Sequence, residues 1–163
     1  MLDLLVKNAV LAGSDAVSDI ACQDGRITEV GPAIKALAHR VIDARGYLVS
    51  PPFVDSHLHM DAALSLGMPR RNDSGTLLEG IRIWGELKPL LTPQALKDRA
   101  LKLVRWSVAK GNLAIRTHVD TTDPSLMAVE ILLEVRDEMR PYVDIQLVAF
   151  PQDGVLRAPR GIE

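Results

Sequence analysis

The sequence predicts an α/β fold in two parts: a small β module over residues 1–50, then a parallel sheet with helical crossovers over 51–163. Three observations carry this expectation. Before Pro51, short apolar runs are separated by turn residues. After Pro51, apolar runs alternate with segments of helical period, two of which open on Thr-Pro or Asp-Pro. Each later apolar run also ends in side chains able to do chemistry, as ligand-binding α/β sheets do at the carboxyl ends of their strands.

The elements follow in order. Leu2–Val10 is apolar with few breaks and reads as a strand. Ser18–Gln23 and Arg26–Val30 flank Asp24-Gly25, a pair suited to a type I′ hairpin turn, which needs φ > 0 at both central residues. Gly31-Pro32 closes that unit. Arg40–Asp43 is another short strand, Ala44-Arg45-Gly46 a turn, and Tyr47–Val49 leads on to Pro51. Phe53 and Val54 read as part of a buried strand that runs to His59. A polar connection, Pro69–Gly75, precedes a helix from Thr76 to about Leu90. Thr92 and Pro93 open the next helix as cap and first-turn proline; Leu96, Ala100, Leu103, Val104 and Val108 form its apolar stripe, and Gly111 ends it. Leu113–Asp120 is a second strand. Asp123-Pro124 is expected to cap a helix carrying Ala128, Ile131, Leu132, Val135 and Met139 on one face. Pro141 stops it, and Tyr142–Phe150 is a third strand running into Pro151–Gly154.

Composition narrows the function classes. With 47% hydrophobic and 25% charged residues the chain is globular rather than disordered. Net charge is −2 with both signs interspersed, so a nucleic-acid partner lacks its electrostatic footprint. The single Cys22 excludes an intramolecular disulfide. No uncharged run approaches the length of a membrane span, and no basic segment precedes the apolar N-terminus. A cytoplasmic protein that engages neither membrane nor nucleic acid is expected.

His57 and His59 sit two apart at the end of an apolar run. On a strand, residues i and i+2 project to one side, so both imidazoles would point together. Neutral imidazole suits zinc, iron and related ions. Asp55 and Asp61 bracket the pair. The residues alone leave two readings open: a metal site, or two structural histidines closing a strand. Trp84 and Trp106 read as packing residues, Asp123 as a helix cap, and Arg70 and Arg71 as solvated loop charges.

A resemblance sharpens this. Val41-Ile42-Asp43-Ala44-Arg45-Gly46 followed by Phe53-Val54-Asp55-Ser56-His57-Leu58-His59 resembles the opening of the amidohydrolase superfamily. Its members are metal-dependent hydrolases on a distorted (β/α)8 TIM barrel with an attached β-sandwich. Pro52 departs from the pattern, since most members carry Gly there. Pro51-Pro52-Phe53-Val54, Ser74–Gly80, Arg116–Asp120 and Gln146–Gln152 resemble, in the same order, segments of the bacterial cytosine deaminase branch. The triazine branch shares Arg-Thr-His-Val-Asp, but its third-strand segment resembles Ala-Phe-Ala-Gln rather than the Ala149-Phe150-Pro151-Gln152 found here.

The resemblance implies residues 1–50 as a β-sandwich segment and 51–163 as about three strands of an incomplete TIM barrel. It implies His57 and His59 as ligands of a divalent metal, Fe2+ or Zn2+. Gln152, the Leu77 backbone and Phe150 would contact a nucleobase-like ring, and an amide such as Gln152 offers both donor and acceptor. Phe150 reads equally as core. His118 and Asp120 are candidates to orient the ligands from behind, with an ordinary structural histidine as the alternative for His118. No catalytic residue is expected within the chain: a third His, a Glu proton shuttle, a further His and a metal-binding Asp would lie downstream of Glu163. The implied activity is hydrolytic deamination of cytosine to uracil and ammonia, with the 163-residue chain inactive alone. The alternatives are isoguanine or triazine-type rings, or a non-catalytic metal-binding or assembly fragment. A homo-oligomer, or dependence on a missing C-terminal portion, is also expected.

Overall fold

Asp24 and Gly25 both adopt positive φ, 53° and 70°, and turn β2 (Val17–Gln23) into antiparallel β3 (Arg26–Gly31). This is the hairpin that the Asp-Gly pair predicts. The structure, a computed structural model, describes residues 1–156. The chain divides into two units, Met1–Pro51 and the remainder from Pro52.

In the first unit the sheet order is β3-β2-β1-β4, with β1 Leu2–Leu11 and β4 Ala38–Asp43; β5 (Leu48–Val49) also pairs with β1. β1 meets β2 antiparallel and meets β4 and β5 parallel. The β1–β2 register shifts between Val6 and Ala9, where Asn8 sits at φ 59°. Asn tolerates this left-handed region better than most residues. Buried Asp19 compensates the irregularity: its two oxygens accept the Asn8 and Ile34 N–H groups, each at 2.9 Å.

The second unit runs β6 (Phe53–Leu58), α1 (Leu77–Leu87), α2 (Pro93–Ala109), β7 (Asn112–Asp120), α3 (Met127–Met139) and β8 (Asp144–Phe150). Its sheet, β6-β7-β8, is parallel throughout, as the strand–helix alternation predicts. Strand period sets the two faces of β7. Ile115, Thr117 and Val119 are buried, the two apolar ones in a core with Leu96, Ala100 and Val104 of α2 and Leu132 and Val135 of α3. Arg116 and His118 face the other way. Thr92 caps α2 as expected, its hydroxyl accepting the Ala95 N–H. Gly111 takes φ 90° under the Phe53 ring, and its carbonyl accepts the Phe53 N–H at 2.9 Å. Among the described residues no helix is long and apolar enough to cross a membrane.

Four expectations are corrected. The helix expected to reach Leu90 ends at Leu87 and tightens into a 3-10 turn over Lys88–Leu90, because Pro89 lacks an N–H to continue the helical ladder. Asp123 does not cap α3. Its carboxylate accepts the Ser125 N–H and hydroxyl, forming a separate turn, and α3 begins after Leu126 at φ 51°. Phe53 and Val54 are not buried but 62% and 68% exposed, since β6 is an edge strand paired only with β7 among the described residues. Trp106 is exposed, with the Lys102 ammonium 4.9 Å from its ring centroid, rather than a core residue.

Candidate functional site

β6 pairs with β7 so that Leu58 lies opposite Thr117. The residues flanking Leu58, His57 and His59, therefore meet His118 on the neighbouring strand. Ring centroids are 5.3 Å apart for His57–His59, 4.3 Å for His57–His118 and 5.7 Å for His59–His118. Phe150, at the end of β8, stands edge-on to His59 at 5.0 Å and to His118 at 5.9 Å. Three imidazoles and one apolar ring thus cluster at the carboxyl ends of three parallel strands.

Burial is the largest influence on His59 and lowers its pKa; the Asp61 carboxylate opposes this, and His57 and His118 add to the lowering. The neutral ring is the form that ligates metal. Nδ1 of His118 is buried with no hydrogen-bond partner. Buried polar atoms are ordinarily satisfied, so an orphan beside two further imidazoles fits a missing electrophile. Yet among the described residues no three His, Cys, Asp or Glu side chains are placed to hold an ion together. The donors therefore fit a divalent ion as part of its shell, short of the three protein ligands usual for a catalytic site.

The segment after His59 is held in place by groups that the sequence did not single out for this role. Thr117 is fully buried, and its hydroxyl accepts the Met60 N–H at 2.9 Å. Asp61, equally buried, accepts the Ala62 N–H at 2.9 Å and the Asp120 N–H at 2.8 Å. Burial raises the Asp61 pKa, and the two N–H groups partly offset it. Arg99 on α2 donates to the carbonyls of Asp61 and Ala63. A hydroxyl inside an otherwise apolar strand face was the one readable signal, because Thr117 occupies a core position of β7.

Asp120 is drawn into a different network from the histidines. It accepts Trp84 Nε1 at 2.8 Å, Lys88 Nζ at 2.9 Å and the Thr122 N–H at 2.8 Å. Burial would raise its pKa, but the Thr122, Trp84 and Lys88 hydrogen bonds hold it low. Trp84 is thus buried and also a donor, more than a packing residue.

Arg70 is not a solvated loop charge. It grips Glu86 with two hydrogen bonds, at 2.8 and 3.0 Å, and Glu79 with one at 2.7 Å. The other Glu79 oxygen accepts the Ser74 N–H and hydroxyl at 2.7 and 2.6 Å. These Ser74 bonds first, and Arg70 after them, pull the Glu79 pKa down to about 2. This clasp shapes the approach to α1, whose first residue, Leu77, is 78% exposed. Gln152 lies in the turn after β8, closed by the Gly154 N–H on the Pro151 carbonyl at 2.9 Å. The cluster therefore gathers His57, His59, His118 and Phe150, while Leu77 opens α1 and Gln152 stands in the turn after β8.

Residues 40–162 match the amidohydrolase family. N-isopropylammelide isopropyl amidohydrolase of Pseudomonas sp. (strain ADP) is 33% identical over 162 residues, covering 93% of this chain and 39% of the relative. The structure of 5-methylcytosine deaminase from Klebsiella pneumoniae, liganded with 5-fluorocytosine, superposes with a TM-score of 0.89 at 42% identity over 96% of this chain and 38% of that one. That of N-isopropylammelide isopropylaminohydrolase from Burkholderia multivorans gives 0.78 at 32% identity over 99% and 40%. The chain thus spans about two fifths of the length of these relatives.

Proposed function

The chain belongs to the amidohydrolase family, and from that premise we propose that the protein hydrolyses the exocyclic amino group of cytosine or a closely related ring. Water is consumed, the C–N bond to the amino group breaks, and ammonia and the oxo ring leave. The observation that carries this reading is the cluster of His57, His59 and His118 beneath Phe150 at the carboxyl ends of parallel strands. The likeness to 5-methylcytosine deaminase supports a pyrimidine substrate.

In this reading β6, β7 and β8 are the first strands of a (β/α)8 barrel, and residues 1–50 belong to a β-sandwich. His57 and His59 are two ligands of an Fe2+ or Zn2+ ion. A bound ion of this kind supplies the Lewis acidity that makes water a nucleophile near neutral pH. Burial lowers the His59 pKa, which favours the neutral ring whose lone pair can ligate. Thr117, Asp61 and Arg99 fix the backbone that follows it, which holds the ring's direction. Phe150 packs edge-on against His59 and His118. The Gln152 amide pairs with a ring carbonyl and the adjacent ring N–H, using its donor and acceptor together. The Leu77 backbone bounds the ring from the first turn of α1. Two imidazoles fall short of the three protein ligands usual for a catalytic site, so the reading requires further donors and a carboxylate that shuttles a proton to the leaving ammonia.

A triazine-type ring is the second reading, supported by the N-isopropylammelide hydrolase relatives. Pro151 before Gln152 favours the pyrimidine. The experiment is ammonia release by the intact, metal-loaded protein from cytosine, 5-methylcytosine, isoguanine and amino-triazines. Turnover of a pyrimidine ahead of the triazines supports the proposal. Absence of ammonia from every ring overturns it.

A further inference from the structure

The turn that carries Gln152 is fastened on both sides to the segment leaving β7. On one side the Phe150 carbonyl accepts the Thr121 N–H at 3.0 Å. On the other, Asp153 accepts the Thr122 hydroxyl at 3.0 Å and, from outside that segment, Lys88 Nζ at 2.8 Å. Lys88 reaches this point from the 3-10 turn after α1. Its ammonium has three donors, and all three are used: on Asp153, on Asp120 at 2.9 Å and on Thr122 Oγ1 at 3.0 Å. The Lys88 side chain is only 15% exposed and that of Asp120 4%. Exposed ion pairs contribute little, but a largely buried cation saturated by three oxygens from two different segments fixes their separation.

From this we propose that Lys88 is a positioning residue for substrate recognition. It acts through Asp153 to hold the Gln152 amide in register with the ends of β7 and β8. The proposal rests on the deaminase reading for the role of Gln152, while the clamp itself rests on the contacts alone. The three Lys88 hydrogen bonds go to Asp120, Thr122 and Asp153 rather than to the histidines, so its removal acts through geometry. Asp120 is shared between this clamp and the backbone tie to Asp61, which places the clamp one residue contact away from the segment after His59.

The test uses the intact, metal-loaded protein with Lys88→Met, Lys88→Arg and Asp153→Ala. Asp153→Ala cuts both arms to the turn, from Lys88 and from Thr122, and leaves the Lys88–Asp120 pair. It therefore serves if Lys88→Met fails to fold, with Thr122→Val as the variant that removes the Thr122 arm alone. Losing the turn's tether should raise KM for the turned-over ring about tenfold, change kcat less, and leave metal content unchanged. Asp153→Ala combined with Gln152→Ala should raise KM no further than Gln152→Ala alone, because both act on one contact. Lys88→Arg should restore part of the loss. An unchanged KM in Asp153→Ala, or additive effects in the double variant, would overturn the proposal. If the wild type releases ammonia from no ring, the deaminase reading fails separately, and amide hydrogen exchange then decides the clamp. Faster exchange at Gln152–Gly154 in Asp153→Ala supports it, and unchanged exchange overturns it.

Discussion

The imidazoles of His57 and His118 lie 4.3 Å apart on adjacent parallel strands, and Nδ1 of His118 is buried without a hydrogen-bond partner. Beyond an ordinary structural role, a ring so placed can take part in holding a metal or orient a neighbour that does. The two roles differ in magnitude. Removing a direct ligand abolishes stoichiometric binding, whereas removing an orienting group typically weakens affinity about 10–100-fold. In the intact protein, His57→Ala is expected to lose the ion outright. His118→Ala should retain it with affinity reduced by one to two orders of magnitude. Metal titration of both variants checks this, and normal affinity in His118→Ala would remove it from the site.

Gln152 offers a cleaner separation of binding from metal content, because it lies in the turn after β8 rather than among the histidines. Gln152→Ala should damage turnover of a cytosine-like ring by about 10–100-fold in kcat/KM, the scale of losing an amide's paired hydrogen bonds to a bound ring. Metal content should stay near normal. Unchanged kinetics would take Gln152 out of the pocket.

How much of this was legible in the sequence depends on how local each signal is. The His57/His59 pairing followed from the two-residue strand period, and the Asp24-Gly25 hairpin from the positive φ that pair supplies. Both are decided within a few residues. Asp123 misled because one carboxylate can cap a helix or pin a turn, and the choice fell to Ser125 two residues on. Arg70 and Lys88 were unreadable for a different reason. A sequence gives their charge but not their partners, and the carboxylates that Lys88 binds are 32 and 65 residues away. The exposure of Phe53 and Val54 reflects the same limit: an apolar run reports a tendency to be covered, not what covers it.

The clasp before α1 carries a pH dependence. Glu79 is held at about 2 against an ordinary 4.5, chiefly by the two Ser74 hydrogen bonds and then by Arg70. A carboxylate whose pKa is lower in the folded chain contributes stability that is complete above about 4.5 and is lost as pH falls through about 2. The Glu79 carboxyl should therefore titrate well below ordinary glutamates by NMR. Ser74→Ala and Arg70→Leu should each move its midpoint upward, since each removes a group that lowers it. A Glu79 midpoint near the ordinary value in the wild type would show the clasp to be open in solution.

Thr117 provides the link between core packing and the site. It sits at a fully buried position of β7, between Ile115 and Val119, where an apolar residue would pack equally well. Its hydroxyl is the acceptor for the buried Met60 N–H, and Met60 follows His59 directly. Thr117→Val keeps the shape but orphans that donor, which costs about 1–3 kcal/mol. The denaturation midpoint of the intact protein should fall with its slope unchanged, and metal affinity should fall with it because the backbone after His59 is released. Thr117→Ser keeps the acceptor and loses only a methyl group. It should leave metal affinity intact while destabilising the core by about 1 kcal/mol. If Thr117→Val lowers stability without touching metal affinity, the hydroxyl supports the fold but does not orient His59.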